Sequence, residues 1–300
     1  MGELAALANA VVWALTGVIT KGVGKNVKPH HIVSAQVWIG LIFLLIVGFV
    51  IDELHELIHI QLRSALFLVG GALSNTAGSL VFWLALSRST VSKVYPTTQS
   101  IFISISVLSG WLFLGDNPQI GVIGGAILII GGVVLLNWQP DDRPVDAIES
   151  SKTVKRKPRG DYIGIGLGIA TSFLWAGGFL STVIGLEETP PVAAATIRNL
   201  VPAILFVGVA IAFPSARITR VFKGNTTRII LSAILFAVSA LTFVLALDNA
   251  SPGVVVVLIN TSPMWAVLMA AILLRERLTR FALGGAALSV TGIFVTLAFR

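Results

Sequence analysis

The sequence contains no cysteine. Disulfides, thiolate metal sites and thiol nucleophiles are thereby excluded, and the chain carries no mark of its redox compartment. Charge is the second scarcity: 12% of residues are Asp, Glu, Lys or Arg, against roughly 25% in a soluble domain. With 55% hydrophobic residues and a mean hydropathy of +0.91 over 300 residues, too little polar surface remains to coat a globule in water. Histidine is limited to His30, His31, His55 and His59, all at loops or at the ends of apolar runs. His55 and His59 have the i,i+4 spacing of a metal pair, but no third ligand is evident beside them. No Gly-x-x-x-x-Gly-Lys motif is present, which argues against an ATP-driven pump. No basic region precedes the first apolar block, and that block belongs to a repeat described below, so no cleaved signal peptide is expected.

What is present is apolar sequence in blocks of membrane-spanning length. Breakers and run lengths give ten candidate spans, at about 3–24, 29–51, 64–86, 91–114, 119–138, 161–184, 190–213, 227–247, 252–274 and 280–299. All are read as helices, which satisfy their own backbone hydrogen bonds in lipid; the short alternating segments of a barrel are absent. Pro29, Pro118, Pro190 and Pro252 fall at span starts, where a missing N–H costs little. Pro96, Pro202 and Pro263 fall inside spans, where they free carbonyls and kink the helix. The net charge of +7 and pI near 10.1 do not indicate nucleic acid. The basic residues sit in short loops between apolar blocks, as membrane orientation requires.

One apolar stretch occurs twice. Phe82-Trp83-Leu84-Ala85-Leu86, Leu114-Gly115-Asp116 and Gly124-Gly125-Ala126 return as Phe243-Val244-Leu245-Ala246-Leu247, Leu274-Arg275-Glu276 and Gly284-Gly285-Ala286, about 160 residues later. Trp13-Ala14 returns likewise as Trp175-Ala176. A period this long marks a duplicated unit. The polar segment 139–159 has the composition of a solvated linker and separates a first half, 1–138, from a second, 160–300. Five spans per half is an odd number, so two similar halves in series lie upside down relative to each other, the inverted-repeat design of many secondary transporters. Loops 1–2, 3–4, 5–6, 7–8 and 9–10 hold nearly all the Lys and Arg, which places them in the cytoplasm and both termini outside.

A carrier needs polar groups at mid-depth, where burial without a role costs free energy. Asn9, Trp13, Thr16 and Thr20 share one helix face, matched by Thr171, Trp175, Gly178 and Thr182. Asn75 and Ser79 share a face of the third span, and Tyr95 and Gln99 a face of the fourth. Asn260, Thr261 and Ser262 precede Pro263 in the ninth. Gln99 and Asn260 are nearly aligned by the repeat and can face each other across its axis. For each of these polar residues the competing reading is an interhelical hydrogen bond that holds the bundle. Trp13 and Trp175 lie deeper than an interfacial belt and read as cavity walls, able to stack on a planar substrate or a cation. Arg198 is the one basic residue well inside a span; it either contacts an anionic group or snorkels to the interface. The span interiors hold no clear Asp or Glu, which makes exchange or uniport at least as consistent as proton antiport. The Gly121, Gly124, Gly125 and Gly131 stripe and its counterpart Gly284, Gly285 and Gly292 read as close helix packing.

Together these features resemble the EamA-type carriers of the drug/metabolite transporter superfamily: two five-span repeats, a Trp early in each, and an acidic turn after the fourth span of each. The second turn, Arg275-Glu276-Arg277-Leu278-Thr279, is similar to the family's Gly-Glu-x-Leu-Thr; the first, Gly115-Asp116-Asn117-Pro118, departs further from it. The resemblance implies a basket of ten helices whose spans 1, 3, 4, 6, 8 and 9 line a central cavity, with 5 and 10 packed at the rim and both termini in the cytoplasm, the reverse of the charge bias. The expectation is an all-α, multi-pass protein of the cell membrane that carries a small, amino-acid-like or other organic solute by alternating access. Its partners are that solute and the lipid bilayer, with no cofactor, no metal and no nucleic acid. Substrate-binding candidates are Asn9, Trp13, Asn75, Tyr95, Gln99, Trp175, Arg198 and Asn260. The alternatives are a non-transporting sensor or scaffold and, further off, an intramembrane enzyme.

Overall fold

The computed structural model describes residues 1–21, 29–116, 119–138, 158–212, 225–273 and 279–299. Among them the chain forms α-helices and no strand. In order these are α1 (Gly2–Lys21), α2 (Pro29–Val50), α3 (Glu56–His59), α4 (Leu62–Arg88), α5 (Val91–Phe113) and α6 (Ile120–Leu136), then α7 (Pro158–Leu186), α8 (Pro191–Ala212), α9 (Thr226–Asn249), α10 (Pro252–Ile259), α11 (Ser262–Leu273) and α12 (Arg280–Ala298). Residues 139–157 of the expected linker, the second acidic turn at 275–278 and most of the basic loop residues lie outside the described residues; 158 and 159 open α7.

Among the described residues, eight segments are long and apolar enough to cross a membrane: α1, α2, α4, α7, α8, α9, the α10–α11 pair over Pro252–Met269, and α12. The chain is therefore a multi-pass integral membrane protein. The other two expected spans correspond to α5 and α6. The first turns of α5 hold Tyr95, Pro96, Thr97, Thr98, Gln99 and Ser100, which dilute its apolar character. With 17 residues, α6 is about 26 Å long at 1.5 Å per residue, just short of a bilayer core. Leu80, Phe113, Ile127, Ile204 and Phe294 are all more than half exposed. Such a surface would drive aggregation in water, and it suits acyl chains.

The helices associate through small residues. α4 runs along α7, α1 along α9 and α6 along α12; α5 also lies on α7, α1 on α10 and α11, and α2 on α8 and α9. A Cβ on Gly125 of α6 would overlap Thr296 Oγ1 and lie 2.8 Å from the Gly292 carbonyl oxygen of α12. Only glycine permits that approach, and in lipid such contact replaces the hydrophobic drive available in water.

The ninth span is broken into α10 and α11 at Asn260–Thr261, and Pro263 is the cause. It has no N–H for the carbonyl of Ile259, four residues back, and its ring crowds that group. Side chains near the break take up carbonyls instead: Asn260 Nδ2 donates to Val256 O at 2.6 Å and Thr261 Oγ1 to Leu258 O at 2.7 Å. Val254 to Leu258 are at most 4% exposed, so α10 is enclosed by protein. Gly253 at its start is buried as well, and Asp116 supplies the partner of its amide: Oδ2 accepts from the Gly253 N–H at 2.8 Å. Gly115, at φ +68°, turns the chain after α5 so that this carboxylate reaches the start of α10; a side chain would be strained there. The negative charge also faces the positive end of a helix dipole.

Two substitutions check this packing. Gly125→Val overfills the α6–α12 contact and is expected to cost about 1–3 kcal/mol, seen as a lower thermal midpoint in detergent. Asp116→Ala removes a helix-cap acceptor and is expected to cost about 1–2 kcal/mol, with Asp116→Asn losing less because it keeps an oxygen.

Candidate functional site

The polar face of α1 is spent on its neighbours. Asn9, 7% exposed, donates from Nδ2 to the Ser239 carbonyl at 2.6 Å and to Ser239 Oγ at 3.0 Å, both on α9. Gln36 of α2 donates to Thr20 Oγ1 at 3.1 Å and to Ser232 Oγ of α9 at 3.4 Å. Thr16 turns its hydroxyl onto the Val12 carbonyl of its own helix at 2.8 Å. The corresponding face of α7 does the same work against α4 and α5. Ser74 donates to Leu174 O at 2.7 Å, Ser172 donates to Thr98 O at 2.8 Å, and Thr171 and Thr182 are fully buried.

The matched tryptophans part company. Trp13 is 48% exposed and pairs with Phe236, the rings tilted by 45° with centroids 6.0 Å apart. Trp175 lies inside a continuous series of rings. Tyr95 meets Phe82 at 6.0 Å and Phe82 meets Trp175 at 5.1 Å. Trp175 meets Phe102 at 6.2 Å, Phe102 meets Phe179 at 6.3 Å, and Phe179 meets Phe243 at 6.2 Å. Most of these pairs are edge-on, the arrangement that ring quadrupoles favour. Phe102 and Phe179 are buried and back the series; Phe82, Tyr95, Trp175 and Phe243 keep part of their surface open.

Polar groups stand at the two ends of this series. At one, Gln99 Nε2 donates to the Tyr95 hydroxyl at 3.3 Å, while Gln99 Oε1 is buried with no partner among the described residues. At the other, the Arg198 guanidinium carbon sits 4.5 Å above the centre of the Phe243 ring. Arg198 Nε is buried without an acceptor, and no carboxylate lies within 4.0 Å of the guanidinium among the described residues. Pro202 follows Arg198 by one turn and withholds the N–H that would bind its carbonyl, so α8 is locally loosened at this residue.

Of the residues singled out from sequence, the structure thus brings Tyr95, Gln99, Trp175 and Arg198 onto one aromatic series. Asn75, half-buried, rests against Gly178 of α7, and its carbonyl accepts from Ser79 at 2.9 Å. Asn260 is 4% exposed at the helix break and bonds within its own helix. Although α5 lies on α10, no hydrogen bond joins Gln99 to Asn260. Of the four phenylalanines, the sequence singles out Phe82 and Phe243 only as equivalent members of the repeated block and Phe102 and Phe179 not at all; that repetition is the available signal. An apolar groove of about 340 Å³ between α5 and α6, lined by Ile103, Val107, Trp111, Ile127 and Ile130 among others, lies apart from these polar groups. Its wall residues Trp111 and Ile127 are 54% and 64% exposed, so it opens outward to lipid.

The EamA-like transporter family model matches residues 1–138 and 162–298. An uncharacterized transporter from Archaeoglobus fulgidus is 26% identical over 301 residues, covering 98% of this chain and 94% of the relative. The uncharacterized transporter YvbV of Bacillus subtilis is 31% identical over 150 residues, so the match spans about half of each protein, 49% and 48%. A crystal structure superposes over 100% of this chain and 97% of its own, with a TM-score of 0.80 at 16% identity, which speaks to fold alone. Matched along both segments of its helical bundle, the chain belongs to the EamA-like transporter family.

Proposed function

We propose that the protein is a secondary carrier of a small organic solute, built from ten spans as two five-helix units of opposite orientation. A site between the units faces alternate sides of the membrane. The observation that carries this reading is the pairing of helices. The main contacts join a helix of segment 1–138 to one of segment 162–298, and they come in exchange-related sets: α1–α9 with α4–α7, α5–α7 with α1–α10 and α11, and α6 with α12. Equivalent ends repeat equivalent contacts. Gly2 of α1 lies against Asn249 and Ala250 at the end of α9, and Gly164 of α7 lies against Ser89 at the end of α4. A pseudo-two-fold axis in the membrane plane generates such a pattern, and rocking one unit against the other around a fixed site is the motion it allows. Trp175, Tyr95 and Gln99 are the contacts proposed for the solute body, with Arg198 at the far end and Asn75 beside α7. Trp13, Asn9 and Asn260 serve the bundle instead.

The inversion has a direct test, because the chain has no cysteine to mask. Thr90 and Ser251 immediately precede α5 and α10, at equivalent places in the repeat. Thr90→Cys and Ser251→Cys are expected to react with an impermeant maleimide from opposite faces of the membrane; labelling from one face overturns the inverted arrangement. Transport is tested by uptake of a labelled metabolite mixture into proteoliposomes. Trp175→Ala is expected to slow uptake about tenfold, the loss of a contact near 1.4 kcal/mol, while Trp13→Ala stays close to wild type. Binding of metabolites without any uptake would make the protein a sensor or scaffold.

A further inference from the structure

Arg198 carries a positive charge inside α8, within the apolar span Pro191–Val209. A cation held in the bilayer needs a compensating partner. One face of the guanidinium has found it in the π-cloud of Phe243, at 4.5 Å. Its edge has not: Nε is buried and without an acceptor, and the guanidinium forms no hydrogen bond or ion pair among the described residues. A guanidinium stacked on a ring is fixed in orientation, and the fork of N–H groups along its edge matches the two oxygens of a carboxylate. From Phe243 the ring series runs through Phe179, Phe102, Trp175, Phe82 and Tyr95 to Gln99, whose buried Oε1 has no partner among the described residues.

We propose that Arg198 binds the carboxylate of an organic monoanion whose apolar or aromatic body lies along this ring series; the proposal rests on the carrier reading. The charge balance selects a monoanion. One guanidinium neutralises one carboxylate, whereas a phosphate dianion would leave a net negative charge in a medium of low dielectric, where an unpaired charge is costly. The rings select against small hydrophilic acids, since they offer dispersion and edge contacts but few hydrogen bonds. Gln99 Oε1, a buried acceptor with no donor among the described residues, favours a donor group at the far end of the solute.

The test uses the full-length protein in detergent and three probes: 3-phenylpropionate, its neutral amide, and phenyl phosphate. Calorimetry and thermal shift are expected to show 3-phenylpropionate binding at least about tenfold tighter than the amide or the phosphate ester, in line with a charge-assisted hydrogen-bonded pair. Arg198→Gln is expected to abolish that preference. Arg198→Lys keeps the charge but not the fork, guards against a variant that simply fails to fold, and is expected to bind the carboxylate severalfold more weakly while still preferring it to the amide. Equal binding of acid and amide by the wild type, or full affinity in Arg198→Lys, overturns the proposal. Labelled 3-phenylpropionate in proteoliposomes separates this from the carrier reading. Arg198-dependent binding without uptake overturns transport and leaves the site standing. Uptake of other metabolites with no Arg198-dependent binding leaves transport standing and removes the site.

Discussion

Inside a bilayer no water is available to a polar group, so each must find its partner within the protein. That constraint organises this molecule. It explains why the hydroxyls of Thr16, Thr171 and Thr182 fold back onto carbonyls of their own helices, and why Asn9 reaches across to Ser239. It also explains why a carboxylate from the turn after α5 is drawn to the first amides of α10. Once these debts are settled locally, the groups left unsettled stand out, and the Arg198 edge and Gln99 Oε1 are two of them.

The same constraint governs how much was legible beforehand. Helix and membrane class follow from long apolar runs alone, because lipid admits so few backbone solutions. The Gly121–Gly131 and Gly284–Gly292 stripes were readable as contacts, because close approach demands a side chain that is absent. Arg198 announced itself as a lone charge inside a span. Spacing, however, tells which residues share a helix face and not what the face meets. Asn9 and Thr20 on one helix, and Trp175 on another, fall on corresponding faces of the repeat, yet the first two meet polar groups of α9 and α2 while the third meets rings. Pro263 was legible as a kink; that it ends one helix and starts another depends on Asn260 and Thr261 closing the gap with their side chains.

The duplication is less symmetric in chemistry than in shape. Phe82 and Phe243 occupy equivalent places in the two copies, and each carries a polar group at its face or edge, Tyr95 in one case and Arg198 in the other. Trp175 and Phe179 of α7 bridge them, whereas the corresponding stretch of α1 has Trp13 and a glycine, Gly17. The scaffold is thus used twice and the aromatic lining once. In the carrier proposed above, such one-sided lining gives a bound solute a head and a tail.

The strap between Asp116 and α10 has a consequence for the integrity of the chain. The Gly253 amide takes its partner from a residue 137 positions earlier, so a helix of the second matched segment starts on a carboxylate of the first. The two segments are interlocked rather than merely apposed: drawn apart, one would be left with an unpaired amide and the other with an unpaired carboxylate.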